Sequence, residues 1–287
     1  MNVIKLSNIS YYIKQKEIVK DISFHVQQGD YFALLGENGS GKSMLIDLLL
    51  GDLKPNSGHV SFFEKPKKDF SKVGVVYDQL PVFPMLKVDE IINYFCAIHK
   101  LKSKDIKDQY YDLFHLRKIK NSLTRELSQG ERKKFGLVLS ILKPSELLVL
   151  DEPFANLDPT IIDKLWSALK EKSKTIFFTS HNWKEVETIA NKICFIYQGK
   201  ILQKPLSPAQ LIAKLPATKK IAIENDLTIV DRFKNYDYFI HDKTVHFFYD
   251  ENSNLLTEIS KTTSNYSIQN AGLKDAYLYF ISLIKKS

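Results

Sequence analysis

The stretch Gly36-Glu37-Asn38-Gly39-Ser40-Gly41-Lys42-Ser43 governs how this chain is read. Before it, Tyr31-Phe32-Ala33-Leu34-Leu35 is an apolar run of strand length. After it, Met44 to Leu50 reads as a buried helix that stops at Gly51. A strand, a glycine loop ending in Gly-Lys-Ser and a helix form the order of a phosphate-binding loop. Glycines let successive backbone N–H groups turn inward around a phosphate, and the helix start adds the positive end of its dipole. The expected nucleotide contacts are therefore Gly36, Glu37, Asn38, Gly39, Ser40, Gly41, Lys42, Ser43 and Met44, with Lys42 reaching the terminal phosphates and the Ser43 hydroxyl holding Mg²⁺. A glycine turn that merely caps a core helix is the plainer alternative, and the correct flanking elements weigh against it. Of 11 glycines in the chain, Gly36, Gly39 and Gly41 fall in this one segment.

A phosphate loop alone does not separate GTPases, kinases, helicases and transport ATPases, and the second half of the chain does. Leu147-Leu148-Val149-Leu150 is another buried strand, and it ends in Asp151-Glu152-Pro153. An acid at the strand end is placed to hold Mg²⁺, and a second acid beside it to orient and polarise an attacking water. Upstream lies Leu127-Ser128-Gln129-Gly130-Glu131, followed by a long run from Arg132 to Lys143. Ser128 with Glu131 is a capping box that opens a helix, and a capped helix start is also a place for an anion.

At these residues the sequence resembles the ATP-binding subunits of the ABC superfamily, whose signature reads Leu-Ser-Gly-Gly-Gln before the second acidic strand. Gln79, in Val75-Val76-Tyr77-Asp78-Gln79, matches the glutamine loop; Ala155-Asn156-Leu157-Asp158 matches the D-loop; Thr179-Ser180-His181 matches the switch histidine. The resemblance covers residues 1 to about 215. It implies that Glu152 polarises the water, that His181 contacts the γ-phosphate, and that Gln79 joins Mg²⁺, held also by Ser43 and Asp151, to that water. It implies further that Ser128, Gln129 and Gly130 meet the ATP of a second cassette, because two copies dock head to tail and the signature lies far from its own phosphate loop, and that Asp158 of the D-loop is a nucleotide-binding residue. Tyr12 is the aromatic expected on adenine, with Tyr11 as a rival because the spacing is off by one. Met44 stands where the family commonly has threonine, which removes one hydroxyl hydrogen bond of about 0.5–1.5 kcal/mol. Gln129 and Glu131 replace the glycine and glutamine of the signature, while Ser128 and Gly130 are kept.

The expected fold is α/β: a P-loop NTPase core with a parallel sheet, an antiparallel β subdomain, an inserted helical subdomain and a small C-terminal α+β extension. Residues 1–30 alternate apolar and polar in an antiparallel pattern, residues 82–140 are helical in pattern, and strand 175–179, a helix from Asn182 capped with Glu185, and strand 193–197 follow. This gives a cassette over 1–215, with its helical subdomain at about 82–140, and an accessory region over 216–287 with short strand-like runs and the amphipathic segment Leu273–Phe280. That last segment looks like the leucine–acid–aromatic ending of ATPase subunits from drug and polysaccharide exporters.

Composition agrees with a globular chain: 44% hydrophobic and 26% charged residues exclude a mainly disordered, collagen-like or coiled-coil protein. No apolar stretch approaches the roughly 18–20 residues needed to span a bilayer. The N-terminus lacks a secretion signal, and Cys96 and Cys194 fit a reducing compartment. Hence the expectation is a cytoplasmic subunit, peripheral on the cytoplasmic face of the inner or plasma membrane, working with a separate transmembrane permease and a second cassette, either a homodimer partner or a sister subunit. A soluble ABC ATPase acting on ribosomes or nucleic acid is the alternative that the net charge of +8 keeps open. The lysines of 82–140 are interleaved with aspartates, which favours a solvated face over a nucleic-acid stripe.

Overall fold

The structure is a computed structural model that describes residues 1–65, 70–78, 83–224 and 226–286. Strands β1 (Asn2–Ile13), β2 (Lys16–Gln27) and, after β3 (Tyr31–Leu35) and helix α1 (Lys42–Leu50), β4 (Ser57–Phe62) are joined as an antiparallel sheet in the order β2-β1-β4. The polypeptide then runs through β5 (Val73–Val76), α2 (Val88–Ile98), α3 (Ser103–Tyr110), α4 (Gln129–Ile141), β6 (Leu147–Leu150), α5 (Pro159–Lys172), β7 (Ile176–Ser180), α6 (Trp183–Ile189), β8 (Lys192–Tyr197), β9 (Lys200–Ile201) and α7 (Pro208–Ile212). A second sheet has the order β5-β6-β7-β3-β8-β9, parallel except for the last pair.

Why the central strands read as unbroken apolar runs is clear from what covers them, since a parallel sheet is buried on both faces. Ala33, Leu35, Leu148, Leu150, Ile176 and Phe178 point to the face that packs against α2, α4, α5, α6 and α7. Their alternating neighbours Phe32, Leu34, Leu147, Val149 and Phe177 point to the other face, against α1 and the antiparallel sheet. Phe24, Phe32 and Phe177 stack across that second layer with centroids 5.1 and 5.5 Å apart in successive pairs. Helix starts follow the local chemistry: Ser128, Asp158, Asn182 and Ser207 each cap the helix they precede by accepting a backbone N–H. Trp183 packs on Phe195 and Tyr277.

The C-terminal part is β10 (Lys219–Glu224), α8 (Ile229–Arg232), β11 (Tyr238–His241), β12 (Thr244–Tyr249), α9 (Leu255–Thr262), β13 (Ser267–Asn270) and α10 (Leu273–Lys286), with an antiparallel sheet in the order β11-β12-β10-β13. One face of that sheet makes a small core with α8 and α9 through Ile221, Ile223, Val245, Phe247, Phe233 and Ile259. The other lies toward α10, whose Leu273, Ala276, Tyr277 and Ile281 belong to the main core. The accessory segment is thus built into the cassette's core through its last helix. A buried Lys220–Asp275 ion pair at 2.5 Å ties β10 to α10.

His246 lies on the same face, stacked on Phe239 with centroids 4.6 Å apart. Burial, then the nearby Lys220 cation, pulls its pKa from 6.5 down to about 4, while Asp275 opposes the shift. Between those two values the unfolded chain binds a proton that the folded chain refuses, so stability is present above about pH 6.5 and is lost as pH falls toward 4. The urea midpoint of the wild type should therefore drop faster over that window than that of His246→Phe, which keeps the stack and removes the titration. Parallel pH profiles for the two proteins would show that His246 does not carry this dependence.

Candidate functional site

Strands β3, β6 and β7 deliver the site because their C-terminal ends lie side by side, where open α/β sheets bind ligands. Leaving β3, the chain turns through Gly36–Gly41 into α1. A Cβ at Gly36 would sit 2.3 Å from the Ile196 carbonyl oxygen, so only glycine lets the loop lie this close to β8. Gly41 has φ +108°, a left-handed turn that sends the chain into the helix. Helices α4 to α7 each have a side-chain cap, whereas α1 has none, and no acid stands in its first turn. Its first N–H groups are left for an anion, which is the fit expected of a phosphate cradle.

Lys42 is buried at 6% exposure, with Nζ donating to the carbonyls of Gly36 (2.8 Å) and Glu37 (3.2 Å) and lying 3.5 Å from Glu152 Oε1. Asp151 follows β6 at 4% exposure, and burial pushes its carboxyl above the usual carboxylate range while the Thr179 and Ser43 hydroxyls counter that rise. Thr179 Oγ1 donates to Asp151 Oδ1 (2.5 Å) and accepts from the Glu152 N–H (2.9 Å), so β7 holds both acids. Glu152 has φ +45°, a left-handed conformation that costs a non-glycine residue about 1–3 kcal/mol. Its Oε2 lies 2.8 Å from His181 Nδ1.

Lys42, Glu152 and His181 share one cleft of about 450 Å³, lined also by Asn38, Gly39, Gly41, Ser43 and Met44, while Asp151 and Thr179 are buried outside its lining. Glu37 stands behind it, its carbonyl turned to Lys42, and Ser40 is buried with its Oγ unpartnered. Gln129 lines this same cleft of its own chain, which the distance expected between signature and phosphate loop did not anticipate. Ser128 closes a capping box with Glu131, its hydroxyl 2.7 Å from Oε2, and Gly130 faces the Asn156 carbonyl. Asp158 is exposed and spends its carboxylate capping α5 at Thr160, so Ala155 and Asn156 are the D-loop residues that reach the cleft. Neither tyrosine lines it: Tyr12 is 43% exposed with its hydroxyl on Glu17 (2.9 Å), and Tyr11 packs into the second core layer. The side chain lining that edge is Ile18. Gln79 lies outside the described residues; Asp78, just before it, lines the cleft.

A family model described as ABC transporter matches residues 19–155, from within β2 to the residue after Asp151-Glu152-Pro153-Phe154. The SkfA peptide export ATP-binding protein of Bacillus subtilis (strain 168) is 31% identical over 214 residues, which are 71% of this chain and 89% of that one. This chain belongs to the ABC transporter ATP-binding proteins. The bacitracin transport ATP-binding protein of Bacillus licheniformis is 27% identical over 251 residues, or 83% of this chain and 82% of the relative. A solved ATP-binding subunit of an ABC transporter shares the fold with a TM-score of 0.64 at 20% identity, over 74% of this chain and 92% of that one. A dimeric ATP-binding cassette bound to ADP and Pi shares it at 0.62, over 71% of this chain and 98% of that one.

One contact of this ABC ATPase joins elements far apart in sequence. Tyr277, fully buried on α10, accepts the Glu37 N–H and donates to the Ile196 carbonyl, both at 3.3 Å. The Gly36–Glu37 peptide is therefore held on both sides, its N–H by Tyr277 and its carbonyl by Lys42. Tyr277→Phe keeps the ring between Trp183 and Phe195 and should lower the unfolding free energy by about 0.5–1.5 kcal/mol. Tyr277→Ala should lower it by about 3–5 kcal/mol, by analogy with other aromatic truncations. Denaturant titrations of both variants measure the difference, and an unchanged stability in Tyr277→Phe would mean that the hydroxyl holds nothing.

Proposed function

We propose that this ABC ATPase powers an exporter, working on the cytoplasmic face of a membrane with a separate transmembrane permease. The observation that carries the chemistry is the meeting of Lys42, Glu152 and His181 in one cleft beside an uncapped helix start. Phosphates would be held by the N–H groups of residues 39–44 and by Lys42, with phosphate oxygens competing against Glu152 for the Lys42 ammonium. Ser43 and Asp151, with Gln79, supply the hard oxygen donors that suit Mg²⁺, which when bound neutralises charge on the β- and γ-oxygens. Glu152 then orients and polarises the attacking water, and His181, at hydrogen-bond distance from Glu152, faces the γ-phosphate.

Closure follows from the same residues. Ser128, Gln129, Gly130 and Asp158 of a second cassette, whether another copy or a sister subunit, would cover the phosphates, and adenine would rest on Tyr12 or Tyr11. For Ser128 this requires its hydroxyl to turn from Glu131 toward a phosphate. Two cassettes joined through γ-phosphate close when ATP binds and part after hydrolysis. Support for export comes from the relatives named for bacitracin transport and peptide export, and from the Leu273, Asp275 and Tyr277 pattern on α10. Among the described residues no helix is long and apolar enough to cross a membrane.

Glu152→Gln should bind ATP, remain dimeric in its presence and lose at least about a hundredfold of hydrolysis, since general-base groups contribute roughly 10²–10⁴ in rate. Steady-state ATPase assays and size-exclusion chromatography with ATP check this, and undiminished turnover would refute the role of Glu152. Affinity capture of the tagged chain from detergent-solubilised membranes should bring down a multi-span protein in stoichiometric amount. Recovery with ribosomal or DNA-bound partners instead would keep the ATPase and overturn the transport reading.

A further inference from the structure

The signature helix sends one long cation back beneath the acid pair. Lys133, in the second turn of α4, is 3% exposed. Its ammonium has three protons to place, and the structure gives each a partner: Asp78 Oδ1 at 2.7 Å, the Glu152 carbonyl at 2.9 Å and the Asp151 carbonyl at 3.2 Å. Here two of the three bonds go to the backbone of the residues that carry the proposed chemistry. They fall where the backbone is strained, since Glu152 holds φ +45°. A left-handed residue persists only when its surroundings over-determine it. The Thr179 hydroxyl fixes the Glu152 N–H on one side, and Lys133 fixes its carbonyl on the other.

We propose that Lys133 is a positioning residue for ATP hydrolysis, holding the Asp151–Glu152 turn so that the Glu152 carboxylate is aimed into the cleft. This rests on Glu152 being the group that orients the water. The same ammonium reaches Asp78, the neighbour of Gln79, so one side chain joins the signature helix, the acid turn and the approach to the glutamine loop. Lys133 lies beneath the cleft and does not line it, so its loss should spare nucleotide binding and reduce turnover.

The test is steady-state ATPase of the full chain together with binding of a fluorescent ATP analogue. Lys133→Met should lower kcat by on the order of ten- to a hundredfold, the scale set by small misplacements of reacting groups, with KM and analogue affinity within about twofold of wild type. Lys133→Arg, which keeps the charge and donors with a different reach, should give an intermediate kcat. In a Glu152→Gln background, Lys133→Met should add no further loss, because a group that acts through Glu152 has nothing left to aim. Unchanged kcat in Lys133→Met, a raised KM at unchanged kcat, or a loss that multiplies with that of Glu152→Gln would each overturn the proposal. If Lys133→Met does not bind the analogue, the decision passes to Lys133→Arg: lowered kcat at unchanged KM supports the role, and unchanged kcat overturns it. Failure of the Glu152 reading shows separately, as retained turnover in Glu152→Gln alone.

Discussion

Parallel pairing fixes where β6, β7 and β3 end relative to one another, and every chemical group of the site inherits its place from that register. Leu150 pairs with Phe178 and Leu35 with Ser180, so Asp151 emerges level with Thr179, and Gly36 level with His181. The Thr179 hydroxyl makes the first of these alignments rigid by bonding to both acids in turn. A slip of one residue in β7 would turn Thr179 to the opposite face and leave Asp151 without the donor that tempers its burial. The apolar faces described above forbid that slip, because Phe177 and Phe178 point into different core layers. The packing that stabilises the sheet is therefore also what sets the spacing of the site.

Charge is the second constraint. Lys42, Asp151 and Lys133 are each less than a tenth exposed, and burying an ion is costly unless its partners are in place. The structure meets this with carbonyls and hydroxyls more than with tight ion pairs: Lys42 has two loop carbonyls and a carboxylate at 3.5 Å, and Lys133 has two carbonyls beside Asp78. Lys42 thus keeps only a loose hold on Glu152, a contact that a phosphate can replace. Lys133 instead holds the backbone carbonyls of Asp151 and Glu152. The two lysines differ in role because one points into the cleft and the other beneath it.

What could be read from the sequence was what is local. The phosphate loop, the capping box at Ser128 and Glu131, the cap at Asn182 and the acidic strand end all follow from residues within a few positions of one another, and each folds as its chemistry dictates. Both faces of β3, β6 and β7 being covered likewise shows as unbroken apolar runs. Illegible were contacts set by tertiary packing. Tyr277 meets Glu37 across 240 residues, and nothing in an amphipathic helix pattern says which core its inner face joins. Lys133 reads as one more charge in a basic helix until the fold puts the acid turn above it. Asp158, read as a site residue, is also a helix cap one position before Pro159, and Thr160 supplies both donors for that use. Tyr12 matches the adenine position by order in the chain; that its hydroxyl bonds Glu17 on the neighbouring strand while its side chain stays exposed shows only in the fold.

The C-terminal segment changes meaning once α10 is placed. Had residues 216–287 formed a separate body, its own small core around Ile221, Phe247 and Ile259 would have been enough to explain its strands. Instead the opposite face of that sheet is spent on α10, through the Lys220–Asp275 pair and the contact of Phe248 with Tyr279. Asp275 also accepts the Gly272 N–H, so one buried carboxylate both starts the helix and anchors it to the sheet. Helix α10 then carries Tyr277 to the base of the phosphate loop, two residues beyond that anchor. There its ring packs against Trp183 and Phe195. A short chain of bonded contacts, Lys220 with Asp275 and Tyr277 with Glu37, thus runs from the C-terminal sheet to the Gly36–Glu37 peptide.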